Sequence, residues 1–364
     1  MRVAHALVGT AVAVSVAAGA LMTVLAAPAQ AHTVGGVQPT NYRSRISGVS
    51  PALPGVSVEL LDLGRRIRVI NRGTTDVIVL GYSGEPYLRL GPRGLFENVH
   101  SPAAFLNLPT TGGATTNTTL PPGADASAPP SWRFVSHSQS VTWHDRRTRW
   151  EGPAPSSVTR HPHETQVVRS WAIGLTTAGP TSVVTGLITW VPGPNPVPWL
   201  LVAAGLAAVT VAAAFTPWWA PLLAAAMALL VANDVVHSFV VADASRDPVG
   251  RQLVTVLLVG FYGTIAWVVG IAGAVLVRRR SDTGVVLAVA SAFLITLLGG
   301  ITDAVAFGRS QLPFAWPPGV ARAEVALSLG VGVGVVAALG WLYLRTGAFE
   351  RSETSGASTP AGYK

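Results

Sequence analysis

After Pro192-Gly193-Pro194-Asn195-Pro196 the chain changes character: five apolar stretches follow, near Val197 to Phe215, Trp219 to Val241, Leu253 to Val277, Val285 to Phe307 and Val325 to Leu344. Each is close to the ~20 apolar residues that a helix needs to cross a bilayer. Lipid offers the backbone no hydrogen-bond partner, so such stretches are helical or they do not insert. This pattern predicts an all-α bundle of five transmembrane helices over 197–345, joined through a Pro-rich hinge at 192–196 to the preceding domain. Charged residues are 12% of the chain and hydrophobic residues 49%. A soluble domain carries roughly 25% charge, so the composition excludes an ordinary cytosolic enzyme. Trp199, Trp218, Trp219, Trp316 and Trp341 lie near the ends of the apolar stretches, where interfacial anchors belong.

The amino terminus reads as a processing signal. Arg2 is followed by an apolar run from Ala6 to Ala26 and then by Ala27-Pro28-Ala29-Gln30-Ala31, the small-residue pattern that signal peptidase cleaves. Residues 1–31 are therefore expected to be a signal peptide, which makes the next domain extracytoplasmic. An odd number of spans then leaves the C-terminus in the cytoplasm of a multi-pass plasma-membrane protein. Arg278-Arg279-Arg280 falls in a predicted inner loop, and Arg345 and Arg351 follow the last span, in agreement with the positive-inside rule. The Ser/Thr/Gly/Ala-rich tail 346–364 reads as disordered.

Between them, residues 32–191 carry short apolar runs broken by Gly, Pro, Asn and Asp. Val56 to Leu60, Arg66 to Ile70, Val77 to Leu80, Tyr87 to Leu90, Val141 to His144, Gln166 to Leu175 and Val183 to Val191 have the length and alternation of strands. An all-β sandwich of Ig-like type is expected, with a long loop from Leu108 to Pro130.

Only Lys364 is a lysine, the rest of the basic residues are arginine, and the net charge is +8. No basic run exceeds the Arg278–Arg280 triplet, so membrane topology explains the charge better than nucleic-acid binding does. The chain has no cysteine, which excludes disulfides, thiolate metal sites, thiol catalysis and iron–sulfur clusters. No nucleophile elbow, phosphate loop, dinucleotide fingerprint or His-Glu-x-x-His is present, so the expectation is a non-enzymatic protein.

Histidine is the residue type with most chemical content. Cleavage after Ala31 makes His32 the new N-terminus, whose free α-amine and Nδ1 would together chelate one ion, a geometry suited to Cu(II); equally, His32 is tolerated there with no consequence. His100, His137, His144, His161 and His163 lie in the same domain. His144 ends a strand and is followed by Asp145, so a metal set of His32, His144, Asp145 and His163 is one reading. A surface salt-bridge cluster of Asp145 and Glu151 with the neighbouring arginines is the other. Tyr82, Glu85 and Tyr87 form a turn with one carboxylate among aromatics, a candidate partner-binding surface or a hairpin packed on the sheet edge.

In the membrane half, Asn233, Asp234, His237 and Asp303 interrupt the apolar pattern. Asp234 and His237 are three apart and share a helix face. At ~1.5 Å per residue, Asp234 would sit ~22 Å, and His237 and Asp303 ~27 Å, from the cytoplasmic side, near the outer face. Ionisable residues inside spans are costly and mark functional sites by default; a shallow position reaching water or headgroups is the competing explanation.

Signal peptide, N-terminal His32, β-domain, Pro hinge and membrane bundle together resemble bacterial copper-resistance proteins in which a CopC-like domain is fused to a CopD-like membrane domain. Val167-Val168-Arg169-Ser170-Trp171-Ala172-Ile173 and Gly186-Leu187-Ile188-Thr189-Trp190-Val191 look like the closing strands of a CopC sandwich. The resemblance implies a copper cofactor, with His32 as first ligand, and handover to Asp234, His237 and Asp303 in the membrane. The chain departs from the family in having no His or Asp between Leu175 and Ser182, so that His144 or His163 would have to substitute, and in having fewer spans than a CopD domain. The Gly84-Glu85-Pro86-Tyr87-Leu88-Arg89 and Trp143-His144-Asp145-Arg146 segments are also similar to a group of actinobacterial exported membrane proteins, a likeness that brings no function with it. The expected function is extracytoplasmic copper binding; the alternative is an envelope protein whose sandwich binds a partner protein or a wall component while the spans anchor it in membrane lipid.

Overall fold

The computed structural model describes residues 37–107, 120–177 and 179–346. The expected signal peptide, His32, much of the Leu108–Pro130 loop and nearly all of the C-terminal tail lie outside the described residues. The chain divides into two compact units, one spanning Thr40–Gly193 and the other Pro194–Lys364 together with the residues up to Pro39.

Among its described residues the first unit has ten strands: β1 (Tyr42–Ser50), β2 (Val56–Leu61), β3 (Arg66–Asn71), β4 (Val77–Leu80), β5 (Pro86–Gly91), β6 (Gly94–Asn98), β7 (Trp132–Ser136), β8 (Ser140–His144), β9 (Gln166–Thr176) and β10 (Ser182–Trp190). Two short helices, α1 (Pro102–Leu106) and α2 (Ser156–Arg160), fill connections. One sheet has seven strands in the order β1-β10-β9-β4-β5-β6-β7, the other three in the order β2-β3-β8. Every pairing is antiparallel.

Alternation sets what faces the interior, because successive side chains on a strand point to opposite faces. In β3 the buried positions are Ile67, Val69 and Asn71, and in β4 they are Val77 and Val79. These join Leu88, Leu90, Val141, Trp143, Trp171, Ile173, Leu175, Val184 and Ile188 in one core shared by both sheets. Asn71 ends its strand with the side-chain amide donating to the carbonyls of Thr75 (2.8 Å) and Leu90 (2.9 Å), which satisfies a buried polar group that would otherwise cost stability.

Three strands lie outside the sequence expectation. β1 reads Tyr-Arg-Ser-Arg-Ile-Ser-Gly-Val-Ser and has no clean apolar alternation, because it is an edge strand with an irregularity between Ile46 and Gly48. Edge strands carry polar and charged residues that discourage further pairing. β7, at the opposite edge, is similarly exposed, and β6 is only five residues long.

The second unit is helical. It contains α3 (Val197–Ala213), α4 (Trp219–Asp243), α5 (Val249–Val254), α6 (Phe261–Arg278), α7 (Asp282–Ile295) and α8 (Pro318–Thr346). Among the described residues four helices are long and apolar enough to cross a membrane: Trp219–Asp243, Phe261–Arg278, Asp282–Gly308 and Pro318–Arg345. Four of the five expected stretches give such a helix, and two of the five depart from the expected form. The first stretch yields a helix of 17 residues, about 25 Å long at 1.5 Å per residue, shorter than the four others and at the low end of the spanning range of roughly 17–25 residues. The third stretch is broken, with α5 passing through a π-helical turn at Thr255–Val259 to Gly260, after which α6 begins.

A second irregularity follows α7, where the chain continues as a π-helical turn at Thr296–Ile301 and a 3-10 segment at Thr302–Gly308. The most buried long helix is α8. It packs against α3 through Gly330 and Gly334: a Cβ at Gly330 would lie 2.4 Å from the Ala203 carbonyl oxygen, and one at Gly334 would lie 2.5 Å from Cβ of Thr210. Small residues four apart let helices approach closely where lipid supplies no hydrophobic driving force.

Candidate functional site

The ionisable residues of the helical unit converge. His237, on α4, has Nδ1 3.0 Å from Oε2 of Glu324 on α8. Its Nε2 lies 3.4 Å from Oδ2 of Asp303 on the 3-10 segment. All three side chains are largely buried. One turn earlier on α4, Asp234 is 8% exposed and accepts a 2.6 Å hydrogen bond from the indole Nε1 of Trp267 on α6. Asn233 donates to the Glu324 carbonyl (3.0 Å) and to Oγ of Ser328 (2.9 Å), pinning α4 to α8 beside the site. Phe314 lies over the imidazole, ring centroids 5.4 Å apart.

The proton inventory follows from the chemistry of the groups. An ionised carboxylate only accepts hydrogen bonds, and a neutral imidazole has one N–H. A carboxyl oxygen lies at each ring nitrogen, and a neutral ring between two ionised carboxylates has only one N–H to offer them. Arg322, two residues before Glu324, donates instead to the carbonyls of Ala306 (3.0 Å) and Arg309 (2.6 Å). The carboxyl groups therefore outnumber the basic groups that face them.

Asp234, His237 and Asp303 line a cavity of about 470 Å³. Its walls are mostly apolar and draw on both irregular turns: Val256, Val259 and Gly260 from one, Leu298 and Gly299 from the other, with Tyr262, Phe314 and Val325. π-Helical turns occur disproportionately at functional sites, and broken helices at membrane depth are tolerated where they line a cavity or are buried in protein.

Of these residues, Asp234, His237 and Asp303 stand out in the sequence, and the structure places all three on one cavity. Glu324 and Trp267 do not. Glu324 precedes the last apolar stretch beside Arg322 and reads as a flanking charge; Trp267 sits inside an apolar run and reads as packing. Extending the last apolar stretch by the single residue before Val325 would have included Glu324.

The candidates in the β-unit are differently placed. The side chain of Asp145 is fully buried and its oxygens accept from Trp143 Nε1 (3.0 Å), Arg147 N (2.9 Å), Arg147 Nε (3.0 Å) and Arg147 Nη2 (2.8 Å). A carboxylate so filled has no lone pair directed at a metal. His144 is half-buried beside Arg65, Arg149 and Arg66; burial and these cations hold its pKa below the ordinary histidine value. The same cations repel a metal ion. Arg146 pairs with Glu151 (3.1 Å), so the salt-bridge cluster is present here. His163 is exposed in a turn after α2. Among the described residues no group of three His, Asp or Glu is disposed to hold a metal ion.

The expected partner surface at Tyr82, Glu85 and Tyr87 is corrected by burial: Glu85 and Tyr87 are each 4% exposed. Glu85 accepts from Oγ of Ser101 (2.7 Å) and from the Ser83 amide (2.9 Å). The Tyr82 hydroxyl donates to Asn107 and accepts from the Arg146 amide, while Arg147 lies 4.8 Å over its ring. Burial and the Asp145 carboxylate push the Tyr82 hydroxyl up to about 12. The turn is an internal clamp between the β4–β5 connection and the end of β8.

No protein family, curated protein or solved structure matches this chain.

Proposed function

We propose that the chain is a non-enzymatic envelope membrane protein whose helical unit binds a cation in exchange for a proton at His237. The observation that carries the reading is the imidazole held between Asp303 and Glu324 on the wall of a cavity. A cation arriving at Asp303 and Asp234 competes for carboxylates that neutralise a proton on His237. Two positive charges on the same carboxylates in a low-dielectric site repel strongly, so the proton leaves to water as the cation binds. The charged and titratable groups that bear on this exchange are Asp234 on α4, Tyr262 on α6, Asp303 after α7, and Arg322 and Glu324 on α8.

In this reading the β-unit is an extracytoplasmic sandwich of Ig-like type, placed outside by cleavage of residues 1–31. The helix Val197–Ala213 counts as a fifth span, at the lower limit of spanning length, which leaves the C-terminus inside. Copper binding at an N-terminal His32 is the second reading; the Ala27-Pro28-Ala29-Gln30-Ala31 site before His32 favours it. It rests on the amine and ring of His32, since Asp145 is filled and His144 lies among cations.

The test uses the full chain in lipid nanodiscs at low buffer capacity. Methylammonium, Na⁺ and Cu(II) are added in turn while proton release is recorded. The expected result is close to one proton per bound cation, abolished in His237→Gln. Release that survives His237→Gln, or none with any cation, overturns the reading. Cu(II) binding that survives His237→Gln but disappears when one Gly is placed before His32 assigns the metal to the N-terminus instead.

A further inference from the structure

The walls of the cavity narrow the class of cation, and this inference rests on the proposed cation exchange. Asp234 and Asp303 line the cavity together with His237, and Asp303 is within 3.4 Å of the imidazole. Apart from Ser238 and the Tyr262 hydroxyl, the remaining side chains of the lining are aliphatic or aromatic, among them Val241, Val256, Leu298, Phe314 and Val325. A site for an inorganic ion surrounds it with oxygen ligands, whereas most of this lining is apolar. A volume of about 470 Å³ lies within the ~300–1,000 Å³ range of sites for small organic molecules.

The way in points the same direction. Three lining residues are also on the outside of the helical unit: Val259 is 68% exposed, Tyr262 58% and Leu298 38%. They belong to the two irregular turns, Thr255–Val259 with its continuation into α6, and Thr296–Ile301. In a bilayer these outer surfaces face lipid, so the cavity wall reaches the lipid-facing surface at two turns whose regular hydrogen bonding is interrupted. A solute that reaches it from that side partitions into the membrane first.

We infer that the cavity takes an amphiphilic organic cation, with its charged head against Asp303 and Asp234 and its apolar body along Val256, Leu298 and Phe314. Aromatic rings contribute to binding such heads through the negative faces of their π systems, and Phe314 and Tyr262 are placed for this. The charge of the site discriminates against anionic amphiphiles of the same shape.

The experiment compares probes on the full chain in nanodiscs: methylammonium, tetraphenylphosphonium and tetraphenylborate, the last two matched in shape and opposite in charge. Binding is measured by equilibrium dialysis, with protein-free nanodiscs as the partition control. Tetraphenylphosphonium is expected to bind one-to-one, at least tenfold tighter than methylammonium, and to lose at least tenfold in Asp303→Asn. Leu298→Trp, which fills the apolar side of the cavity, is expected to weaken tetraphenylphosphonium at least tenfold more than it weakens methylammonium. Equal saturable binding of tetraphenylborate, or tetraphenylphosphonium binding indifferent to both variants, overturns the inference. Proton-linked methylammonium binding with no gain from the apolar body overturns the inference alone; loss of both overturns the cation exchange as well.

Discussion

Trp267 on α6 and Asp234 on α4 are joined by a buried 2.6 Å hydrogen bond from the indole nitrogen to Oδ2. It fixes the position of a carboxyl group that lies one helical turn from His237. Leaving a buried donor without a partner costs about 1–3 kcal/mol. Asp234→Leu is therefore expected to lower the stability of the full chain in detergent by that amount, and Asp234→Asn, which keeps an acceptor, by much less. Thermal unfolding followed by circular dichroism reads the difference, and equal losses in the two variants would contradict the assignment.

Gly299, in the irregular turn after α7, approaches the same carboxyl group: a Cβ there would lie 2.7 Å from Oδ1 of Asp234. Gly299→Ala is expected to displace Asp234 from the cavity wall and to weaken methylammonium binding several-fold. The corresponding change at Gly319, whose Cβ would meet nothing within 4 Å, should leave binding unaltered. Dialysis of both variants checks the contrast.

Much of the architecture was legible because it rests on periodicity. The alternation in β3 and β4 and the apolar stretches from Trp219 onward express burial directly in residue type. β1 was not legible, because an edge strand with Arg43 and Arg45 has one polar face and little core. The break at Gly260 was hidden inside a continuous apolar run, since a π-helical turn changes hydrogen bonding without changing hydropathy. At the candidate site, Asp234, His237 and Asp303 were visible as charges in apolar surroundings. Their relation to Glu324 depends on how α4 and α8 pack, which no spacing within one helix encodes. Asp145 was misleading for a related reason: beside a histidine it looks like a ligand, yet the partners that fill it include Trp143 and Arg147, two residues away on either side.

That Asp145–Arg147 pair gives a test in the β-unit. Removing one partner of a buried ion pair costs about 3–5 kcal/mol because the other charge is left uncompensated, so Arg147→Ala, which strands the fully buried Asp145 carboxylate, should destabilise the unit by about that much and Asp145→Ala somewhat less, since the Arg147 left behind is partly exposed. Near-ultraviolet circular dichroism melts of the full chain report it through the Trp143 environment. A loss below about 1 kcal/mol, the range of surface pairs, would show that the pair is not buried in solution.

The same unit is expected to depend on pH in two windows. His144 has a pKa below the ordinary 6.5 in the folded chain, through burial first and then Arg65. The unfolded chain thus binds a proton more readily, and stability present above pH 6.5 is lost as pH falls below it. His144→Gln should flatten that fall. Tyr82 stays protonated to about 12 where the ordinary value is 10.0, so stability present below pH 10 is lost between about 10 and 12, and Tyr82→Phe should reduce that loss. Melting temperatures across both ranges decide the matter.

The central claim is that a proton on the His237 triad and a cation in the cavity exclude one another. The most direct measurement is the affinity of the full chain in nanodiscs for methylammonium as a function of pH, in wild type and His237→Gln. Exchange of one proton predicts that wild-type affinity weakens as pH falls, by up to about tenfold per pH unit, and that the variant's affinity changes far less over the same range. A wild-type affinity independent of pH, or the same slope in His237→Gln, would contradict it.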